Sequence, residues 1–202
     1  MKTKRVDTRR MVLLAMLSGI LLVMSLTHLG YLNIGPLAIS LNMIPVAIGA
    51  VALGPGGGAC LGAVFGITSC LQCVGIGGTS AMGMILFEIS PMLTILQRFA
   101  TRVLAGWLTG IVYRGMHKLQ VPAAGYIAGF CAALFNTVFF MAALVLLFGH
   151  TPYLQDLIGG RNILVFVLSF VGINAVVELL ASTVSVGAVC KALEKLKLIG
   201  GK

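Results

Sequence analysis

The sequence predicts an all-α integral membrane protein that folds as a bundle of six transmembrane helices. Of its 202 residues, 59% are hydrophobic and only 9% are charged, and the mean hydropathy is +1.07. A soluble domain carries about 25% charged residues, so this composition excludes a soluble fold. The 26 glycines are typical of membrane helices that pack through small side chains. The length suits a single membrane domain over residues 1–202, without a separate catalytic domain.

Apolar segments divide the chain into six candidate spans, because a helix needs ~20 apolar residues to cross a bilayer. A semi-polar linker at 28–42 follows the first span, a glycine-rich turn at 54–58 ends the second, and Ser90-Pro91 interrupts the fourth. The approximate spans are 11–27, 43–53, 59–73, 82–113, 121–148 and 162–189. Since this number is even, the two chain ends lie on the same side of the membrane.

The distribution of lysine and arginine predicts that both termini are cytoplasmic. Cytoplasmic segments of membrane proteins are enriched in these residues, which also contact anionic lipid headgroups. With the N-terminus inside, 11 of the 14 basic residues are cytoplasmic: Lys2, Lys4, Arg5, Arg9, Arg10, Arg114, Lys118, Lys191, Lys195, Lys197 and Lys202. Only Arg98, Arg102 and Arg161 fall toward the outer half. The net charge of +9 therefore indicates membrane lipids, not nucleic acid, as the partner of the basic clusters.

Two arginines in the fourth span are candidates for binding a ligand. Arg98 and Arg102 are four residues apart and share one helix face, where like charges repel. Charge at membrane depth needs a partner, a water-filled cavity or a ligand. An anionic group beside the pair would relieve the repulsion, and the forked guanidinium binds two carboxylate oxygens. The alternative is that both side chains extend to the outer headgroups.

The fifth and sixth spans carry further polar residues at similar depth. Asn136-Thr137 interrupts the fifth span, while Asn174 and Glu178 are four apart on the sixth and share a face. Each set has a structural alternative, namely interhelical hydrogen bonding or pairing with an arginine. The convergence of three spans favours a binding site for a small solute. The predicted substrate-binding residues are Arg98, Arg102, Asn136, Thr137, Asn174 and Glu178.

Small residues recur at helical spacing on two other spans. Gly58, Gly62 and Gly66 leave one face of the third span nearly bare, which predicts close helix contact inside the bundle. Ala15 and Gly19 give the first span a similar face. That face is able to pack internally or against another membrane subunit.

Motifs for catalysis, metal binding and ATP hydrolysis are missing from the sequence. Cys70 and Cys73 form a lone CxxC without a second pair, so free thiols are expected among the five cysteines. Gly54 to Gly58 lacks the Gly-Lys-Ser/Thr ending of a phosphate-binding loop. The five acidic residues are scattered, which argues against a metal-dependent membrane enzyme. We expect no enzyme activity, metal or cofactor in this chain.

The segment Leu41 to Ser69, LNMIPVAIGAVALGPGGGACLGAVFGITS, resembles the substrate-binding S components of energy-coupling factor (ECF) vitamin transporters. Those proteins often show an IPV…LGP…GA..G..FG pattern across their second and third spans. Further matches are TRVLAG at 101–106, FNTVFF at 135–140 and GINAVVELLAS at 172–182. Together these segments run along most of the chain in the order expected of the family.

The resemblance implies a six-helix protein of a prokaryotic plasma membrane that captures a vitamin or its precursor from outside. It also implies association with a membrane coupling subunit and two cytoplasmic ATPases, which use ATP. In this family a small-residue motif on the first span contacts the coupling subunit, and Ala15 and Gly19 are the matching positions. The glycine departs from the family's usual alanine pair. Toppling of the whole S component in the membrane would deliver the substrate inward.

Within the family, the matched residues look most like the pantothenate branch. Pantothenate has a carboxylate, hydroxyls and an amide, which would suit Arg102 with Arg98 nearby, Asn136 and Asn174. S components for riboflavin, folate or pyridoxine-type vitamins remain alternatives. A stand-alone secondary transporter or channel is the alternative of a different class.

Overall fold

Helices form most of the structure, a computed structural model that describes residues 8–27, 30–33, 38–77 and 80–196. Several of the basic residues assigned to the cytoplasmic side, such as Lys2 and Lys202, lie outside the described residues. The elements in chain order are α1 (Thr8–Leu26), β1 (Tyr31–Asn33), β2 (Ala38–Ser40), α2 (Met43–Leu53), α3 (Pro55–Leu71), α4 (Ala81–Ile89), α5 (Pro91–Lys118), α6 (Ala124–Phe148), α7 (Pro152–Ile158) and α8 (Ile163–Lys195).

A short antiparallel hairpin occupies part of the segment that the sequence predicted as a linker. β1 pairs with β2 so that Tyr31 lies opposite Ser40 and Asn33 lies opposite Ala38. Each strand has only three residues, which is too short for an alternating pattern to show in the sequence. The semi-polar composition of the linker at 28–42 did not predict these strands. The hairpin leads directly into α2.

Four helical segments are long and apolar enough to cross a membrane: Thr8–Leu26, Pro55–Val74, Ala124–Phe148 and Asn174–Lys195. A fifth results if Pro152–Ile158 and Ile163–Gly172, which meet at 81°, count as one bent span. The helix α2 is apolar but has only 11 residues. The chain is thus an all-helical, multi-pass membrane protein in its main architecture, and the number six stays a prediction.

The helix α5 has 28 residues, more than the ~20 that a span requires, but one of its faces is polar. That face is buried and includes Thr94, Gln97, Arg98, Thr101, Arg102 and Thr109. The opposite side is exposed and apolar: Met92, Ile95, Leu96, Phe99, Leu104, Trp107 and Ile111. Polar side chains directed inward and apolar side chains directed outward are what a helix inside a bilayer needs. The mean hydropathy of α5 is therefore low because its polar side chains face the interior of the bundle.

The glycines of α3 lie against the backbone of α5, which confirms the close contact predicted from their spacing. A Cβ on Gly62 would collide with the carbonyl of Arg102. A Cβ on Gly66 would lie 3.0 Å from the Cα of Phe99. The Gly58 position likewise meets the carbonyl of Gly106. Because these positions have no side chain, α5 and its buried arginines approach α3 directly.

Two predicted spans are interrupted close in sequence to buried polar residues. The predicted span at 82–113 consists of α4 and α5, which are separated at Ser90. The predicted span at 162–189 is also interrupted, because Gly172 adopts φ 33° and ψ −123°, a conformation open to glycine. The sequence did not indicate this break within the predicted span. The break lies two residues before Asn174.

Candidate functional site

Arg98 connects three elements around the polar interior. Its Nη1 donates a hydrogen bond to Ser69 Oγ on α3 at 3.0 Å, and its Nη2 donates to Ser80 Oγ at 3.1 Å. Ser80 immediately precedes α4, so one guanidinium joins α3, α4 and α5. The side chain is only 4% exposed and is therefore directed into the bundle.

Arg102 lies one turn further along α5 and is enclosed by aromatic rings. Its Nη1 donates to the carbonyl oxygen of Arg98 at 3.0 Å. Its guanidinium carbon lies 4.6 Å from the ring centroid of Phe65 and 5.7 Å from that of Phe140. The same Phe140 ring lies 5.9 Å from the guanidinium carbon of Arg98. These cation–π contacts hold both charges on one side of the interior, and Arg102 is 6% exposed.

The helix α6 supplies Asn136 and Phe140, one turn apart on the same face. Asn136 is 8% exposed. The carbonyl oxygen of Phe140 accepts a hydrogen bond from Gln97 Nε2 at 3.5 Å, which ties α6 to α5. Thr137 is half-buried and lies about 100° around the helix from Asn136. It is therefore on the edge of this face.

The helix α8 and the hairpin close the other side of the site. Asn174 is 6% exposed and Glu178 follows it one turn later. The Oε1 atom of Glu178 accepts a hydrogen bond from the backbone N–H of Ser40 at 2.6 Å. Glu178 thus links α8 to the end of β2.

Several polar atoms in this interior are buried without a hydrogen-bond partner in the part of the chain that the structure describes. They are Ser40 Oγ, both polar side-chain atoms of Asn42, Gln97 Oε1, Arg98 Nε and Asn136 Oδ1. Buried polar groups in proteins are nearly always paired, and a group left unpaired costs about 1–3 kcal/mol. Of these, Gln97 and Arg98 lie on α5 and Asn136 lies on α6, two helices that pack together, and unpaired donors and acceptors on such a pair are suited to a small polar ligand.

The sequence prediction missed three of the residues in this cluster: Ser40, Asn42 and Gln97. A signal existed for Gln97, because Thr94, Gln97 and Thr101 recur at the spacing of one helix face. Asn42 precedes an apolar helix, where an asparagine usually serves as an N-cap. Its complete burial depends on the fold of the hairpin, which the sequence did not predict.

A family model described as "ECF transporter, substrate-specific component" matches residues 9–189. The match covers most of the chain. The chain belongs to this family. A comparison with individually curated proteins gave no match. ECF substrate-specific components are transport subunits and not enzymes, and they work with the other subunits of an ECF transporter.

In this S component, the two small residues of α1 lie on an exposed face. Ala15 and Gly19 are both exposed, and a Cβ on Gly19 would have nothing within 4 Å. Large apolar side chains surround them on the same exposed surface: Met11, Val12, Met16, Ile20 and Val23. The small-residue face of α1 therefore does not pack against the described part of the bundle.

The cysteines of the S component are free thiols. All five are free of disulfides, including Cys70 at the end of α3 and Cys73 in the 3-10 turn that follows it. Cys73 Sγ contacts the carbonyl oxygen of Ser69 at 3.3 Å. In the described residues, no group of three or more His, Cys, Asp or Glu side chains is placed to hold a metal ion.

Proposed function

We propose that this S component binds a water-soluble vitamin or vitamin precursor from outside the cell for ATP-driven uptake, with pantothenate as the best candidate. The observation that supports this proposal best is the group of unpartnered polar atoms beside two buried arginines. Inside a membrane bundle, such atoms are costly unless a ligand meets them. Arginine suits a carboxylate because its fork binds two oxygens.

The chemistry of pantothenate matches the residues available in the interior. Its carboxylate would lie near Arg102 and Arg98, whose combined charge favours an anion. Its amide and hydroxyls would meet Asn136, Gln97 and the polar residues of α8. Thr137, at the edge of the face, and Asn174 would complete the pocket. The Phe140 ring offers an apolar wall for the methyl groups of the ligand.

The topology that we propose has six spans and cytoplasmic termini. It treats α1, α2, α3, α4 with α5, α6, and α8 as the membrane-crossing units. The apolar outer side of α5 supports its assignment as a span despite the buried arginines. The bias of lysine and arginine toward the chain ends supports the orientation. With this orientation the arginine pair belongs to the outer half of a prokaryotic plasma membrane.

Calorimetric titration of the purified full chain against a panel of vitamins tests the binding function. We expect saturable binding of one ligand per chain, strongest for pantothenate, in the absence of ATPase subunits. If no vitamin binds, the proposed function is wrong. Binding to riboflavin, folate or a pyridoxine-type vitamin instead would move the assignment to another branch. Solute flux in vesicles that contain this chain alone would favour a stand-alone transporter.

The exposed small-residue face of α1 is the proposed contact with the membrane coupling subunit, which in turn joins two cytoplasmic ATPases. Small residues allow helices to approach closely in a membrane, where packing drives association. Ala15 and Gly19 match the positions that carry the contact in this family. Their exposure leaves them accessible to a partner helix.

Replacement of Ala15 and Gly19 by leucine is expected to abolish co-purification with the coupling subunit, because bulky side chains keep the two helices apart. Ligand binding by the isolated chain should remain unchanged, since neither position touches the interior. The matched control is Ala142→Leu, which enlarges an exposed alanine on α6. Equal loss of assembly in the control and in the α1 variant would contradict the assignment.

A further inference from the structure

Cys70 and Cys73 form a CxxC pair that has no part in the proposed function. Cys70 lies in the last turn of α3, and Cys73 lies in the 3-10 turn Gln72–Val74 that follows it. Both are free thiols; Cys73 is 3% exposed, whereas Cys70 is only half-buried. In the proposed topology this end of α3 lies at the outer surface, and disulfides persist on the outside of cells. The position of the pair therefore allows reversible oxidation.

The backbone between the two cysteines brings them within reach of each other. The Cα–Cα distance across the pair is set by the two residues in between, and both are helical. Leu71 has φ −60° and ψ −35°, and Gln72 has φ −67° and ψ −22°. In such a turn the two Cα atoms are about 5–6 Å apart and the side chains lie on one face. Because disulfides span Cα–Cα distances of about 4.4–6.8 Å, a bridge requires little movement of the backbone.

The thiol of Cys73 packs beside the guanidinium of Arg98. An ideal Cβ on Gly83 of α4 would lie 2.9 Å from Cys73 Sγ and 2.5 Å from Arg98 Nη2, so the two groups border the space that this glycine leaves open. Ser69 connects them a second time, because its carbonyl oxygen accepts from Cys73 Sγ at 3.3 Å and its Oγ accepts from Arg98 Nη1 at 3.0 Å. The thiol is thus part of the packing that holds Arg98.

We propose that Cys70 and Cys73 are a thiol–disulfide exchange site, and that closing the bridge weakens ligand binding through Arg98. The bridge draws the Cys73 sulfur to about 2.05 Å from that of Cys70, and it removes the hydrogen that Cys73 donates to the Ser69 carbonyl. Ser69 and the space beside Gly83 then no longer hold Arg98 as they do in the reduced protein. The effect on affinity rests on the proposed function, whereas formation of the bridge does not.

The oxidant that the reaction requires is a small-molecule disulfide, such as oxidised glutathione. The Cys70 thiol, the more exposed of the two, loses its proton and attacks one sulfur of the small disulfide, which releases one thiolate and leaves a mixed disulfide on Cys70. The Cys73 thiol then loses its proton and attacks the Cys70 sulfur, and the second thiolate leaves. Two electrons pass from the cysteine pair to the small disulfide, and the two protons end on the two released thiols. Excess dithiol reverses the reaction.

Treatment of the purified full chain with oxidised glutathione tests formation of the bridge. We expect peptide mass mapping to find Cys70 bonded to Cys73, with both thiols recovered after addition of dithiothreitol. Cys70→Ser is the matched variant that cannot form the bridge. Cys60→Ser removes the exposed thiol of α3 but keeps the pair, so it should behave like wild type. A chain in which Cys70 and Cys73 stay reduced, or carry only separate glutathione adducts, would overturn the inference.

Calorimetric titration before and after oxidation tests the effect on the ligand. We expect the affinity of wild type for pantothenate to fall by about tenfold, the effect of losing one hydrogen bond to a charged group. The affinity of Cys70→Ser should stay unchanged. Pantothenol, the alcohol analogue that lacks the carboxylate, should lose less affinity for wild type, because a general structural disturbance would weaken both ligands equally. Equal losses for the two ligands, or no loss, would show that the bridge does not act through Arg98.

If reduced wild type binds no vitamin, the proposed function fails and the ligand-free protein decides. Oxidation should then lower the thermal midpoint of wild type, because the contacts of Arg98 with α3 and α4 change. It should lower the midpoint of Arg98→Met much less, since methionine is also unbranched but has no guanidinium. An equal shift in the two proteins, or no shift in wild type, would overturn the link between the cysteine pair and Arg98.

Discussion

Arg102→Ala is expected to weaken binding of an anionic vitamin by at least about 30-fold. Removing one partner of a buried, hydrogen-bonded charge pair costs about 2–5 kcal/mol, and 1.4 kcal/mol corresponds to tenfold in affinity. Arg102 is buried and lies against two aromatic rings, where solvent screens its charge poorly. Calorimetric titration of the variant with pantothenate measures the loss.

The control for this experiment is Arg161→Ala, which removes the same side chain from an exposed position. Arg161 donates from Nε to the carbonyl oxygen of Ile158 and from Nη2 to that of Leu157, each at 3.1 Å. It thus caps the end of α7, and these bonds involve neither arginine of α5. We expect little change in affinity for this variant. Equal losses in the two variants would show that the carboxylate assignment to Arg102 is wrong.

Arg102→Lys separates charge from geometry. Lysine retains the positive charge but lacks the planar fork that binds two carboxylate oxygens and stacks on aromatic rings. We therefore expect an affinity between those of wild type and Arg102→Ala. A thermal midpoint close to that of wild type must accompany the comparison, since Arg102 also contacts Phe65. A loss confined to a variant that no longer folds would not count as loss of a ligand contact.

The sequence was sufficient to locate the polar side chains of the long helices because helical periodicity is local. Spacing alone put Arg98 with Arg102 and Asn174 with Glu178 on shared helix faces. Because exposing such side chains to lipid is energetically costly, the sequence also indicated that they are buried. The direction of Arg98 was not predictable. It depends on Ser69 and Ser80, which come from other elements of the chain.

The hairpin end of the site was missed because its contacts are long-range. Ser40 and Glu178 are 138 residues apart in the sequence, and no local pattern relates a backbone N–H to a distant carboxylate. The break at Gly172 was missed for a similar reason. An isolated glycine in an apolar run is common in membrane helices, so only the three-dimensional packing distinguishes a break from a continuous span.

The second large effect is expected at the contact between α3 and α5, where Gly62→Ala should destabilise the protein by about 1–3 kcal/mol, as overpacking does. The added Cβ would collide with the carbonyl of Arg102. Because that carbonyl belongs to a helix rather than a flexible side chain, relief requires α5 to move away from α3. We expect a lower thermal midpoint together with weaker ligand binding, since the displaced helix carries both arginines.

Gly56→Ala on the same helix provides the matched control, because its expected effect on the thermal midpoint is zero or opposite in sign. Gly56 is exposed, and a Cβ there would have nothing within 4 Å. Gly56 is the second residue of α3, where alanine is tolerated at least as well as glycine, so this variant should keep or raise the midpoint and leave binding unchanged. If Gly62→Ala behaves like Gly56→Ala, neither stability nor ligand binding requires the close approach of α3 and α5. Ligand binding would then depend on the arginine side chains alone, and not on the glycine face of α3 that lets α5 approach it.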